Sequence, residues 1–148
     1  MQENINKVAL AMKKYYDNNP EKMQHFARVY TLAKTIGELE KIPKESLELL
    51  ELSSIVHEID KNEEIESIKL LLIDCGIDDS TAKKVCHIVE NKSDYEHIGG
   101  LEHQILIEAD FIVHIKEENL EKDKIVEIGN KYFFTNYGRA FLKKAYNI

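Results

Sequence analysis

Apolar residues recur three to four positions apart along nearly the whole chain, while the alternation of apolar and polar residues that marks a strand is never sustained. This periodicity predicts helix almost everywhere. The only two prolines, Pro20 and Pro43, fall where helices should begin, a position that tolerates a missing N–H. With 148 residues, the chain suits one core. We expect an all-α fold, a compact single-domain bundle of about six to seven helices.

Composition and charge narrow the partners that the chain can have. Apolar residues make up 43% and charged residues 32%, as in ordinary globular chains. No apolar run approaches the roughly 20 residues that span a bilayer, and residues 1–4 lack a signal-peptide pattern. We therefore expect a cytoplasmic protein with no membrane partner. The net charge of −7, without a basic stripe, disfavours a nucleic-acid duplex. Oligomeric state is left open.

Four residues on the inner faces of predicted helices could meet around one divalent cation: His25, His57, Glu58 and Asp110. His25 lies one turn into the second helix, and His57-Glu58 close the third, where consecutive side chains can point into one cavity. Asp110 stands among apolar residues of the sixth helix, and a carboxylate there is costly to bury unless it is paired or binds a metal. Two imidazoles and two carboxylates favour Mn, Fe, Co, Ni or Zn over Mg.

These stretches resemble the HD-domain superfamily of metal-dependent phosphohydrolases. The resemblance rests on Gln24–Val29, Ser53–Lys61 and Glu108–Asp110, which follow the family's order of a histidine, a His-Asp pair and a final aspartate. It extends over residues 20–115, and it implies one HD-like domain over residues 1–148, with residues 116–148 packing on it as C-terminal helices. The tail motif at residues 133–139 looks like that of small stand-alone bacterial members.

The resemblance implies a metal-activated water that cleaves a phosphomonoester, with a nucleotide or related small phosphate as the substrate. His25, His57, Glu58 and Asp110 would ligate one metal ion, Glu58 and Asp110 being the catalytic carboxylates. Arg28 and Lys61 would bind the phosphate, and the planar guanidinium matches phosphate with two hydrogen bonds.

Two departures from the family pattern leave an alternative open. Glu58 replaces the usual aspartate and adds a methylene, and Asn91-Lys92 stand where many members carry a further histidine, which favours a mononuclear site. The alternative is a catalytically degenerate HD module that acts as a nucleotide-binding or protein-interaction sensor. A lone inward histidine is usually a core residue, and Arg28 and Lys61 could be solvated surface cations. His103 is kept as a distant substrate candidate.

Overall fold

The structure is a computed structural model. It describes residues 1–58 and 62–148, except for the side chains of residues 62–64. The described part of the chain folds into eight helices, and the all-α prediction is confirmed. The C-terminal part forms two separate helices, as expected of the C-terminal stretch, and counting both takes the number above the predicted six to seven. The helices are α1 (Gln2–Tyr15), α2 (Pro20–Leu39), α3 (Lys44–Val56), α4 (Asn62–Asp74), α5 (Asp79–Glu90), α6 (Leu101–Glu118), α7 (Lys122–Tyr132) and α8 (Asn136–Tyr146).

Local sequence explains where the helices begin. Pro20 occupies the first turn of α2, and the Asn19 side chain accepts a hydrogen bond from the backbone N–H of Lys22 at 3.1 Å. The Asp78 side chain caps α5 in the same way by accepting from the N–H of Thr81 at 3.1 Å. Such caps satisfy N–H groups that have no partner inside the helix.

Helix α3 runs through the middle of the bundle. It packs against α1, α2, α5 and α6, and every residue from Leu49 to Val56 is buried. A helix that is covered on all sides cannot show a simple apolar stripe. Its C-terminal end at His57 therefore lies inside the protein rather than at the surface.

A buried carboxylate on α6 anchors the chain between α7 and α8. Glu108 is fully buried and accepts hydrogen bonds from the Gln104 side chain, from the backbone N–H groups of Phe134 and Thr135, and from the Thr135 hydroxyl. Gly138 in α8 passes so close that an added Cβ would lie 1.8 Å from Glu108 Oε1. This anchor holds the C-terminal helices against α6.

None of the helices in the described ranges has both the length and the apolarity that a bilayer crossing requires.

Candidate metal centre

The four predicted ligands come together in the structure. One donor atom from each of His25, His57, Glu58 and Asp110 can be chosen so that all four lie within 4.8 Å of one another. They come from the start of α2, the end of α3 and the middle of α6. The described residues hold no second group of three or more potential ligands this close together. The sequence-based prediction that these side chains converge is confirmed.

Distances inside the cluster are those of atoms that could share one ion. His25 Nε2 lies 2.8 Å from Asp110 Oδ1 and 3.1 Å from Glu58 Oε1. His57 Nε2 lies 3.3 Å from Glu58 Oε1 and 3.4 Å from Asp110 Oδ1. Ligands about 2.1 Å from a tetrahedral or octahedral metal are roughly 3.0 to 3.4 Å from each other. These four distances match that spacing, and the donor set is compatible with a single divalent ion.

His57 is oriented by the end of its own helix. Its Nδ1 donates to the backbone carbonyl of Ser54 at 2.6 Å, one of the last carbonyls of α3, which lack helical partners. In the neutral ring the lone pair is then on Nε2. This atom is buried and makes no hydrogen bond of good geometry in the described part of the chain, but it lies close to Glu58 Oε1 and Asp110 Oδ1. A buried imidazole nitrogen this close to two carboxylates either keeps a proton between them or shares a cation with them, and the second case is the arrangement of a metal ligand.

His25 is oriented from its opposite edge by a residue that the sequence interpretation missed. Glu117, in the last turn of α6, lies 2.8 and 3.0 Å from His25 Nδ1 through its two oxygens. Carboxylates that accept from the far nitrogen of a metal-binding histidine fix the ring and make it a stronger ligand. Glu117 is seven residues after Asp110 and thus on the same face of α6. That spacing is a signal that could have identified it.

The longer side chain at position 58 still reaches the cluster. Glu58 follows directly on the C-cap of α3, and its Oε1 lies within 3.3 Å of both imidazole Nε2 atoms. The extra methylene thus does not carry the carboxylate away from the other donors.

The expected burial of Asp110 is only partly right. Its side chain retains 44% of its exposure, whereas Glu108, two residues earlier, is fully buried. Positions two apart point to different faces of a helix. The acid enclosed by the apolar core is therefore Glu108, and Asp110 faces the opening of the cluster.

Charge inside the cluster is balanced by protons on the histidines. Burial opposes protonation of His25 most strongly, yet hydrogen bonds to Asp110 and Glu58 raise the pKa of His25 to about 10. Burial likewise opposes protonation of His57, and the same two carboxylates nevertheless raise its pKa. Burial would raise the pKa values of Glu58 and Asp110, but the bonds to His25 and His57 lower both.

A cleft of about 680 Å³ opens beside the cluster, within the size range of small-molecule sites. His25 and Glu58 form part of its wall, and the predicted phosphate ligand Arg28 lines it as an exposed residue. Lys22 adds a second cation, and His114 also lines it. The other predicted phosphate ligand, Lys61, lies outside the described residues.

The cleft is otherwise acidic. Glu21, Glu117 and Glu118 line it together with Glu58, so carboxylates outnumber the two cations. An anionic substrate would be repelled by this surface unless a bound cation supplied positive charge.

Comparisons of the chain with known protein families, curated proteins and solved structures return no match. The resemblance to HD domains therefore depends on the motif residues, and the function has to be inferred from the geometry of the cluster and its cleft.

Proposed function

We propose that the protein is a metal-dependent phosphohydrolase that cleaves a phosphomonoester of a small molecule, with a nucleotide as the substrate that the HD resemblance implies. The observation that carries the proposal is the convergence of two imidazole Nε2 atoms and two carboxylates beside a cleft that contains an arginine. Among the described residues, His57 Nε2 has no polar neighbour at hydrogen-bond distance besides the two carboxylates.

His25, His57, Glu58 and Asp110 would hold one divalent ion, and the mixed nitrogen and oxygen donors favour Mn, Fe, Co, Ni or Zn. The chemistry that such an ion supplies is Lewis acidity, which lowers the pKa of a coordinated water towards 7 and polarises a phosphoryl oxygen. Glu117 and the Ser54 carbonyl keep the two imidazole rings in place.

The protein's own side chains would bind and orient the substrate. Arg28 is exposed in the cleft, and within the described ranges no carboxylate lies within ion-pair distance of it, so its guanidinium is available to form two hydrogen bonds to a phosphate. Asp110 lies beside His25 with 44% of its side chain exposed, so its carboxylate can accept a hydrogen bond from a water molecule at the cluster and orient it. In this arrangement the acidic walls disfavour anionic substrates in the metal-free protein.

The test combines metal analysis with an activity screen. We expect protein purified without chelator to contain close to one transition metal per chain, and to hydrolyse p-nitrophenyl phosphate or nucleoside monophosphates when Mn or Co is added. Asp110→Asn should abolish both metal binding and activity. The matched control is Asp94→Asn, because Asp94 also pairs with a histidine, His97, but at the surface and outside the cluster.

The outcomes separate the two interpretations of the sequence. Protein that binds no transition metal and hydrolyses no phosphomonoester would refute the proposal. Protein that binds the metal through these residues yet stays inert towards every phosphomonoester would instead support a degenerate module that senses a ligand.

A further inference from the structure

A second cleft, of about 410 Å³, lies where α5 ends and α6 begins. None of the four clustered residues lines it, and it shares no lining residue with the cleft beside them. Five of its lining residues are basic or imidazole side chains: Lys83, Lys84, His87, His97 and His103. Three of them also face surface carboxylates: Lys83 lies 3.0 Å from Asp79, Lys84 lies 4.0 Å from Glu45, and His97 lies 3.1 Å from Asp94. In a chain with a net charge of −7, the five are still a local concentration of hydrogen-bonding groups, and both lysines carry positive charge.

His103 has a hydrogen-bonding atom that the protein does not use. Its side chain is buried, with 4% of the residue exposed, and it donates to the backbone carbonyl of Asn91. Its Nε2 has no partner among the described residues, so Nδ1 makes that bond and Nε2 carries a lone pair. Because burial lowers the pKa of His103, the ring stays neutral at pH 7. An unpaired acceptor in such a place is suited to a ligand that donates an O–H or N–H.

The N-terminal end of α6 opens at the same cleft. Its N-cap is Gly100, which lines the cleft and provides no side chain to bond the free N–H groups of the first turn. In an 18-residue helix these N–H groups and the helix dipole attract an anion. Glu102 is a competing charge at this helix end, because a Cβ on Gly100 would lie 2.8 Å from Glu102 Oε1.

We propose that this second cleft binds a small hydroxylated organic anion, such as a sugar phosphate or a hydroxy acid. The anionic group is held by the α6 N–H groups with the positive charge of Lys83 and Lys84, and a hydroxyl group of the ligand donates to His103 Nε2. This site is separate from the metal centre and does not depend on the hydrolase proposal.

The experiment is an NMR titration of ¹⁵N-labelled protein, first treated with EDTA and then repeated with added Zn²⁺. The probes are ribose 5-phosphate, glycerate, inorganic phosphate and ribose. We expect the amide signals of Gly99 to His103 to shift on addition of ribose 5-phosphate or glycerate, whether or not Zn²⁺ is present. Whichever of ribose 5-phosphate and glycerate has the higher affinity identifies the anionic group that the cleft prefers. That ligand should bind about tenfold more tightly than inorganic phosphate or ribose.

Variants test each contact. Lys84 is 57% exposed on its side chain, and Lys84→Glu should weaken binding about five- to tenfold, with a loss that shrinks in high salt. Lys124→Glu makes the same charge change on α7, away from the cleft, and should have no effect. Glu102→Gln removes the competing carboxylate and should tighten binding. His103→Phe should abolish the preference for ribose 5-phosphate over phosphate while leaving phosphate binding intact.

Two results would overturn the inference. One is the absence of any shift at residues 99–103 with all four probes up to about 10 mM, a concentration at which even weak sites fill. The other is a set of shifts confined to the cleft beside the metal ligands, around Arg28 and His114. Failure of the hydrolase screen would leave the titration unaffected, so the two proposals can fail independently.

Discussion

Removing Glu117 should weaken metal binding although Glu117 does not belong to the four-residue cluster. Its two oxygens lie 2.8 and 3.0 Å from His25 Nδ1, and its side chain is 30% exposed. Loss of such an outer partner typically lowers metal affinity by about 10- to 100-fold, or about 1.4 to 2.7 kcal/mol. Glutamine keeps a hydrogen-bond acceptor but loses the charge. The loss of metal affinity should therefore be about tenfold for Glu117→Gln and closer to about 100-fold for Glu117→Ala.

Glu118→Gln is the matched control for this experiment. Glu118 lines the same cleft and carries the same charge, but no bond to His25 is found for it in the described structure. Affinity for Mn²⁺ or Zn²⁺ would be measured by calorimetry or chelator competition at pH 7.5 and again at pH 9, where protons compete less for His25. Equal losses in Glu117→Gln and Glu118→Gln would show that only net charge matters, and would refute the argument that Glu117 orients the ring.

Other predictions concern proton release, substrate binding and the C-terminal anchor. Metal binding at pH 7.5 should release at least about one proton, because the carboxylates raise the pKa of His25 to about 10 and also raise that of His57; calorimetry in buffers of different ionisation enthalpy measures this, and zero release would contradict the ligand assignment. Arg28→Ala should raise KM for the phosphomonoester about tenfold with little change in metal affinity, whereas an unchanged KM would remove Arg28 from the substrate site. Glu108→Gln should lower the free energy of unfolding by about 2 to 4 kcal/mol, since an NH₂ group would face donors. Gly138→Ala should lower the free energy of unfolding by about 2 to 3 kcal/mol, because the added Cβ would clash with Glu108. Urea unfolding measures both variants, and midpoints like that of the parent protein would refute the claim that Glu108 anchors the C-terminal helices.

The sequence allowed the helices and the convergence of the four clustered side chains to be predicted, because both depend on local spacing. Helical periodicity sets which face of each helix points inward, and residues such as Pro20, Asp78 and Gly76 mark where helices begin or end. Once the inward faces are known, histidines and acids on three of them can be expected to meet. The exact position of the break between α7 and α8 was harder to predict, because the backbone N–H groups of Phe134 and Thr135 are held there by tertiary hydrogen bonds to Glu108 rather than by a strong turn signal.

Features that depend on side-chain direction could not be predicted in the same way. Periodicity places Glu117 on the face of Asp110, but only the structure shows that the ring of His25 lies between them. His103 was considered a distant substrate candidate near the expected cavity, yet it lines the other cleft. Its position depends on the path of residues 91–100, a loop without periodicity to guide an interpretation.

The charge inside the cluster links folding, protons and metal in a way that can be measured. In the metal-free protein the raised pKa of His25 stabilises the folded state fully below pH 6.5, and this contribution is lost as pH rises through about 10. The lowered pKa values of Glu58 and Asp110 describe the same ion pairs from the acid side, so their contribution is lost only in strong acid. A metal ion needs the imidazoles deprotonated, and it therefore stabilises the fold increasingly as pH rises. We expect the melting temperature of the metal-free protein to fall between pH 7 and 10, and the increase caused by added metal to grow over the same interval. A metal-induced shift that stayed constant across this range would mean that the ion does not replace protons on His25 and His57.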